Sequence, residues 1–342
     1  MQANKLNVGL IGVGRIGKLH AEHLAYRIPT ARLLVIADVN EGAARDCAGR
    51  LGISDSTADY RAVLQRDDVD AVVICAPTNT HAQLIEEAAA AGKQIFCEKP
   101  IDLRLDRVDQ AISAARKAGV KLQIGFNRRF DPNFLRIRRS VESGEIGAPQ
   151  LLHIISRDPA PPSIDYVKVS GGMFMDMTIH DFDMARYIIG AEVEEVYALA
   201  GVTVNPAIGA ASDVDTAIIT LKFANGVFAT IDNCRQAVYG YDQRVEVLGK
   251  KGSVHVDNNY PNSAIVSGAE RVARDLPLNF FMDRYVESFL TEMRLFIDAV
   301  LEDSPVPVSG EDARAAMLMA LAARRSCEIG RPVRISEVVS GS

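Results

Sequence analysis

The chain has 342 residues, 48% hydrophobic and 24% charged, with a formal net charge of −6. That length exceeds one compact core and makes two domains the expectation. The acid excess and the scattered Lys and Arg argue against nucleic acid as a partner, and no apolar run has the length of a membrane span.

Met1 to Leu6 carries one Lys and runs straight into a strand-like stretch. It lacks the apolar core and small-residue cleavage site of a secretory signal, so the expected setting is the cytoplasm. Cys47, Cys75, Cys97, Cys234 and Cys327 are widely spaced and contain no C-x-x-C pair. They read as reduced, packed thiols. For Cys97, beside Glu98 and Lys99, a reactive thiolate is the alternative to packing.

Val- and Ile-rich runs at Asn7–Ile11, Leu33–Ala37, Ala71–Ala76, Gln94–Cys97 and Lys121–Gly125 predict strands covered on both faces. Helical spacing predicts helices at Gly17–Tyr26, Glu41–Leu51, Thr80–Ala91 and Asp106–Ala118, with a shorter one at Asp59–Gln65. Gly92 and Gly119 stand where helices stop. The alternation predicts an α/β Rossmann domain, a doubly wound parallel sheet, over residues 1–129.

Residues 130–342 have a different texture and predict an α+β domain with a largely antiparallel, open-faced sheet. Its helices are expected at Pro132–Val141, Asp176–Ile189, Phe281–Leu301 and Gly310–Glu328. Strands are expected at Gln150–Ile155, Glu195–Val202, Thr216–Phe223, Val227–Asn233 and Arg244–Leu248, with turns at Asn225-Gly226 and Lys251-Gly252.

Gly12-Val13-Gly14-Arg15-Ile16-Gly17 is a G-x-G-x-x-G motif after an apolar strand and at the opening of a helix. Gly12 allows the tight turn, Gly14 lets backbone approach a pyrophosphate, and Gly17 permits close packing. The helix start offers N–H groups to phosphates. Asp38 lies 21 residues after Gly17, where a carboxylate accepts from the adenosine ribose and repels a 2′-phosphate. NAD is therefore expected over NADP. The alternative for Asp38 is a cap on the helix starting at Glu41, and Arg15 either flanks the phosphates or faces solvent.

Ala76-Pro77-Thr78-Asn79-Thr80-His81, Cys97-Glu98-Lys99-Pro100 and Gly171-Gly172-Met173 through Asp176-Met177-Thr178-Ile179-His180-Asp181 resemble the glucose-fructose oxidoreductase/inositol dehydrogenase/rhizopine catabolism family along nearly the whole chain. Ser156-Arg157-Asp158-Pro159, Gly171-Gly172 and Tyr239-Gly240-Tyr241-Asp242 are most similar to its inositol 2-dehydrogenases, although some members carry His and Asn in place of Ser156 and Asp158. The resemblance implies NAD-dependent oxidation of a ring alcohol of myo-inositol and a homotetramer. It implies cofactor contacts at Gly12, Gly14, Arg15, Ile16, Asp38, Ala76, Thr78, Asn79, His81, Glu98 and Lys99, and substrate contacts at Lys99, Arg128, Asp158, Asp176, His180 and Tyr241.

Removing hydride from an alcohol also requires removing the hydroxyl proton, and the cofactor carries no base. Asp176 and His180, four apart on one expected helix, project from one face. His180 is the expected proton acceptor, with an unperturbed imidazole pKa of ~6.5 suited to neutral pH. Asp176 would hold a neighbouring hydroxyl, and Lys99, at a strand end, would stabilise alkoxide character or contact the nicotinamide ribose.

Each residue has a plainer reading: a core histidine, an N-terminal helix carboxylate, a solvated strand-end lysine. Asn79 either lines the crevice or caps the helix from Thr80, Arg128 reaches substrate or forms an ion pair, and Tyr241 holds a hydroxyl or packs. His20, His23, His153 and His255 read as packed or exposed. No metal is expected, since helical geometry sends Asp181 and Asp183 away from Asp176 and His180. The competing functions are a related sugar or other inositol-isomer dehydrogenase, and a non-catalytic NAD(H)-sensing protein.

Overall fold

The computed structural model describes residues 5–339. Most of the stretch Met1 to Leu6, discussed above for a signal, lies outside them. The chain forms two compact units, and the division differs from a simple cut after residue 129. The first unit runs to Asn127 and also takes Glu287–Ala315; the second comprises Arg128–Val286 and the chain from Ala316 onward.

The first unit is built on a six-stranded parallel sheet. Its strands are β1 (Leu6–Ile11), β2 (Ala31–Ala37), β3 (Asp55–Thr57), β4 (Ala71–Ile74), β5 (Gln94–Glu98) and β6 (Leu122–Gly125), in the order β3-β2-β1-β4-β5-β6. The reversal of strand order beside β1 and β4 is the switch point at which such sheets bind ligands. β3 escaped the sequence reading because Asp55-Ser56-Thr57 carries no apolar signal; it is a polar edge strand paired only with β2. The helix expected at Gly17–Tyr26 begins at Arg15, changes to wider π-type turns over His23–Arg27, and ends before Ile28.

The helix Val286–Leu301 explains the return of the later segment. Phe289, Met293, Phe296 and Ile297 fall on one stripe at i, i+4, i+7 and i+8. Met293, Phe296 and Ile297 belong to the same core as Leu6, Val8, Leu10 and Phe96. The expected single helix Phe281–Leu301 is two, Phe281–Arg284 and Val286–Leu301.

The second unit carries a seven-stranded sheet of β7 (Pro149–Arg157), β8 (Val193–Gly201), β9 (Thr216–Phe223), β10 (Phe228–Cys234), β11 (Asp242–Gly249), β12 (Gly252–Val256) and β15 (Val333–Arg334). The order is β12-β11-β7-β10-β9-β8-β15, and every pair is antiparallel except β7 with β10. A separate hairpin joins β13 (Ile265–Ser267) to β14 (Val272–Arg274). In β9 and β10 burial alternates residue by residue, as in a sheet with one covered face. The helix Thr178–Ile189 packs on β7 and β10, and the helix Pro132–Glu142 packs on it in turn.

Among the described residues, no helix is long and apolar enough to cross a membrane. Truncation of a fully buried aromatic costs about 3–5 kcal/mol. Phe296→Ala is expected to destabilise the chain by that amount in denaturant unfolding, and a loss under 1 kcal/mol would show that the stripe is not core.

Candidate active site

In the first unit the glycine motif forms the tight, closely packed turn its spacing predicts. Gly12 has φ +97°, and a Cβ there would lie 2.6 Å from the Cys75 backbone. A Cβ on Gly17 would lie 2.0 Å from Gly12 O, whereas one on Gly14 would meet nothing within 4 Å. Close packing thus occupies two glycines and leaves space at the third. Gly14 caps the helix Arg15–Glu22 and has no side chain to bond its first N–H groups. These groups suit a pyrophosphate. Arg15 and Ile16 open that helix, Arg15 exposed and Ile16 partly so.

Asp38 follows β2, and its carboxylate accepts from Val13 N and from Asn40 N, both at 2.8 Å. The helix cap proposed for it falls instead to Asn40, whose side chain accepts from Ala43 N. Asp38 thereby ties the end of β2 to the glycine loop.

After β4, the helix begins at Thr78 with Pro77 as its cap, so Asn79 lies exposed in the first turn and is not the cap residue. His81 corrects an expectation. Its ring is buried, with Nδ1 2.8 Å from Pro100 O and Nε2 2.7 Å from Ala76 O. It clamps the loop after β4 to the loop after β5, and a cofactor contact by its ring is not what the geometry supports. Glu98 ends β5 and accepts from His20 Nε2 at 3.0 Å, with Lys99 next in the chain and partly exposed. Cys97 is buried, and burial pushes its thiol well up, which removes the reactive-thiolate alternative.

In the second unit the expected helix Asp176–Ile189 is broken. Asp176 ends a short helix, Met173–Asp176, and His180 lies in the first turn of Thr178–Ile189. The expected continuous helix is thus interrupted at Met177, whose φ of −96° and ψ of −60° stay in the right-handed region. Both side chains are nevertheless partly exposed, unlike their neighbours Met175, Met177 and Ile179.

Asp176 is held at both oxygens. Tyr166 Oη donates to Oδ1 at 2.8 Å, and Arg235 Nη1 donates to Oδ2 at 3.1 Å. Arg235 is almost wholly buried, and its Nη2 is 3.8 Å from Asp213. The same group includes Asp158 electrostatically. Burial, opposed by Arg235 and reinforced by the Asp176 charge, raises its carboxyl to about 6.

Arg128 takes the ion-pair reading. It pairs with buried Asp181 at 2.6 Å and also donates to Ser156 Oγ and, at 3.2 Å, to Tyr241 Oη. Asn233 bridges Asp181 and Thr178 at 2.9 and 2.6 Å. Asp183 pairs with Arg129 at 2.6 Å. Asp181 and Asp183 are buried anchors of the helix Thr178–Ile189. Tyr241 is buried, its hydroxyl taken up as an acceptor by Arg128 and its ring edge-on to Tyr285.

Arg235, Tyr166, Asn233 and Gln243, which accepts from Ser156, were missed in the sequence. Their signal is weak: polar residues at ends of alternating strands or in a Pro-rich loop. Their partners lie far away along the chain, 59 residues for Arg235 and Asp176.

Two family models cover most of the molecule: an oxidoreductase family with an NAD-binding Rossmann fold over residues 6–126, and the GFO/IDH/MocA C-terminal domain over residues 134–255. The chain belongs to the GFO/IDH/MocA oxidoreductase family. It is 52% identical over 327 residues to an uncharacterized oxidoreductase of Bacillus subtilis, with 96% of each chain covered. The myo-inositol 2-dehydrogenase of Thermotoga maritima is 48% identical over 334 residues, covering 98% of this chain and 100% of its own. A crystal structure of scyllo-inositol dehydrogenase from Lactobacillus casei with bound NAD(H) and scyllo-inositol matches with TM-score 0.90 at 30% identity, covering 97% of this chain and 99% of that one.

The cofactor of this oxidoreductase is NAD. Asp38 is the expected source of selectivity against the 2′-phosphate. Asp38→Ser should narrow the ratio of kcat/KM for NAD over NADP by at least about tenfold, from loss of like-charge repulsion. An unchanged ratio removes Asp38 from that role.

Proposed function

We propose that this family member is an NAD-dependent inositol 2-dehydrogenase, oxidising one ring secondary alcohol of myo-inositol to the ketone. The observation that carries the reading is the 48% identity, along essentially both full chains, to the Thermotoga maritima enzyme of that name. The carboxylate-rich group around Asp176 supports it, because a polyol ring presents several hydroxyls that donate to carboxylates.

NAD, when bound, supplies the hydride acceptor. The glycine loop and Asp38 would hold its pyrophosphate and ribose. His180 accepts the proton of the reacting hydroxyl, and Lys99 stabilises alkoxide character on that oxygen. Asp176, fixed by Tyr166 and Arg235, accepts from a neighbouring hydroxyl. Asp158 and Tyr241 would complete the ring contacts. Arg128 acts through Asp181, Ser156 and Tyr241, organising the wall that carries them.

The proposal includes a homotetramer in the cytoplasm, where the five free thiols stay reduced. The uncovered sheet face supports self-association. Leu248, Leu151 and Phe228 are neighbours across β11, β7 and β10, and Leu199 neighbours Ile218 across β8 and β9. All five are exposed, forming an apolar face of the kind that marks an interface. A second copy of the same face is the occupant proposed. Light scattering after size exclusion should give an assembly of four, and Phe228→Glu should reduce it; a monomeric wild type overturns this part.

A panel of myo-inositol, other inositol isomers and pyranoses, assayed by NADH formation with identification of the ketone, tests the activity. The expected result is highest kcat/KM with myo-inositol, and His180→Asn should lower kcat by about 10²–10⁴-fold. A pyranose preference would assign a sugar dehydrogenase. NADH binding with no turnover of any polyol would assign a sensing protein.

A further inference from the structure

Beneath the end of β5, three titratable side chains from distant segments of the first unit meet in apolar surroundings. His20 Nε2 is 3.0 Å from Glu98 Oε1 and 3.9 Å from Glu292 Oε1. The side chains of His20 and Glu292 are wholly buried, while Glu98 is 13% exposed. Phe96 and Phe289 lie edge-on to the imidazole, at 5.2 and 6.0 Å between ring centroids.

Neither carboxyl oxygen of Glu292 meets a hydrogen-bonding partner among the described residues. A buried, ionised carboxylate without donors costs several kcal/mol, and a second carboxylate close by raises that cost. A bound proton removes both penalties. It converts Glu292 into a donor with the Glu98 carboxylate close by, since one oxygen of each carboxyl and one ring nitrogen of His20 lie within 4.8 Å of one another. We propose that Glu98 and Glu292 share a single proton at neutral pH, Glu292 as the acid and Glu98 as the carboxylate, making Glu292 a positioning residue for the strand end Glu98–Lys99.

The direction of titration agrees. Burial and then the charge of Glu98 push Glu292 well above the usual carboxylate range. His23 and the two nearby thiols supply no compensating charge. His23, on the turn after His20, is lowered to about 4, with burial the largest cause. Cys75 after β4 and Cys97 on β5 are pushed up by burial, then by the Glu98 charge, and stay neutral thiols.

His20 fits the same assignment. In the tautomer with its proton on Nε2 the ring donates to Glu98, and Nδ1, which meets no partner among the described residues, is an acceptor nitrogen, the less costly group to bury. A cation bound by these three residues would need the Nε2 lone pair, which that hydrogen bond uses for a proton. The inference rests on the assignment of NAD to the first unit and is independent of which polyol is oxidised.

The test is infrared spectroscopy of the full chain with no substrate. At neutral pH the wild type should show a protonated-carboxyl C=O stretch that shifts in heavy water and is missing from Glu292→Gln. Stability supplies a second readout. Because the folded pKa of Glu292 is raised, the folded protein keeps a proton that the unfolded chain releases above the ordinary glutamate range. Wild-type stability should therefore fall as pH rises through that window, and Glu292→Gln should flatten the fall.

For positioning, Glu292→Gln should keep NADH affinity close to wild type. Glu292→Leu should weaken it about tenfold, the scale of one lost charge-assisted hydrogen bond. Three results overturn the proposal: no band lost in the Gln variant, equal NADH affinity of the Gln and Leu variants, or a stoichiometric metal ion removed together with Glu292. If the Leu variant does not fold, the spectrum and the pH dependence of the Gln variant still decide. Neither needs a polyol, so a wrong substrate assignment leaves both readable.

Discussion

Where β1 turns into the first helix, the backbone of Gly17 lies against Gly12, and Gly12 lies against the end of β4 at Cys75, with no room for a side chain at either glycine. This close approach makes the turn tight enough to aim a helix N-terminus, uncapped by any side chain, out of the sheet at its switch point. Asp38 then joins the loop through Val13 N, and the clamp of His81 on Ala76 O and Pro100 O ties the loops after β4 and β5 together. Each of these contacts is to backbone. This end of the sheet is therefore shaped by main chain, which also places Asp38 and Lys99, the side chains proposed for selectivity and chemistry.

The second unit solves a different problem, which is how to hold charged groups in a protein interior. Arg128 with Asp181, Arg129 with Asp183 and Arg284 with Asp131 are buried pairs, and each carries further hydrogen bonds or aromatic contacts. Burying such ions is tolerable only when they are paired and their remaining valences are met. The result is orientation more than stability. Asp181 anchors the helix that carries His180, and Tyr166 with Arg235 leaves Asp176 little freedom to turn. The cluster of Glu98, Glu292 and His20 stands out because neither oxygen of Glu292 meets a hydrogen-bonding partner among the described residues, and a bound proton is the proposed means of neutralising it.

Much of the architecture was legible because its signals are local. The glycine motif, the period-two alternation of β9 and β10 and the helical spacing of Glu41–Leu51 each lie within a short window, and the structure has elements at those places. Errors arose where local pattern and tertiary packing diverge. The apolar run through Met173–Ile189 has one helical texture but breaks at Met177. Asp55–Thr57 is a strand only because β2 offers a free edge. The late helix carrying Phe289 to Ile297 looked like part of the second domain because chain order says nothing about which core a stripe enters.

By itself the sequence determined the doubly wound first sheet, the open second sheet, the dinucleotide loop with Asp38, and the membership of Lys99, Asp176 and His180 in a recognisable pattern. Only the tertiary structure decided that Asn40 caps the helix in place of Asp38, that His81 is a clamp, that Arg128 is spent on Asp181, and that Arg235 and Tyr166 hold Asp176. The reason is physical. Turns and periodicities depend on neighbours a few residues away, whereas the partner that neutralises a buried charge comes from wherever the fold brings an opposite charge, a donor or a proton within hydrogen-bonding distance.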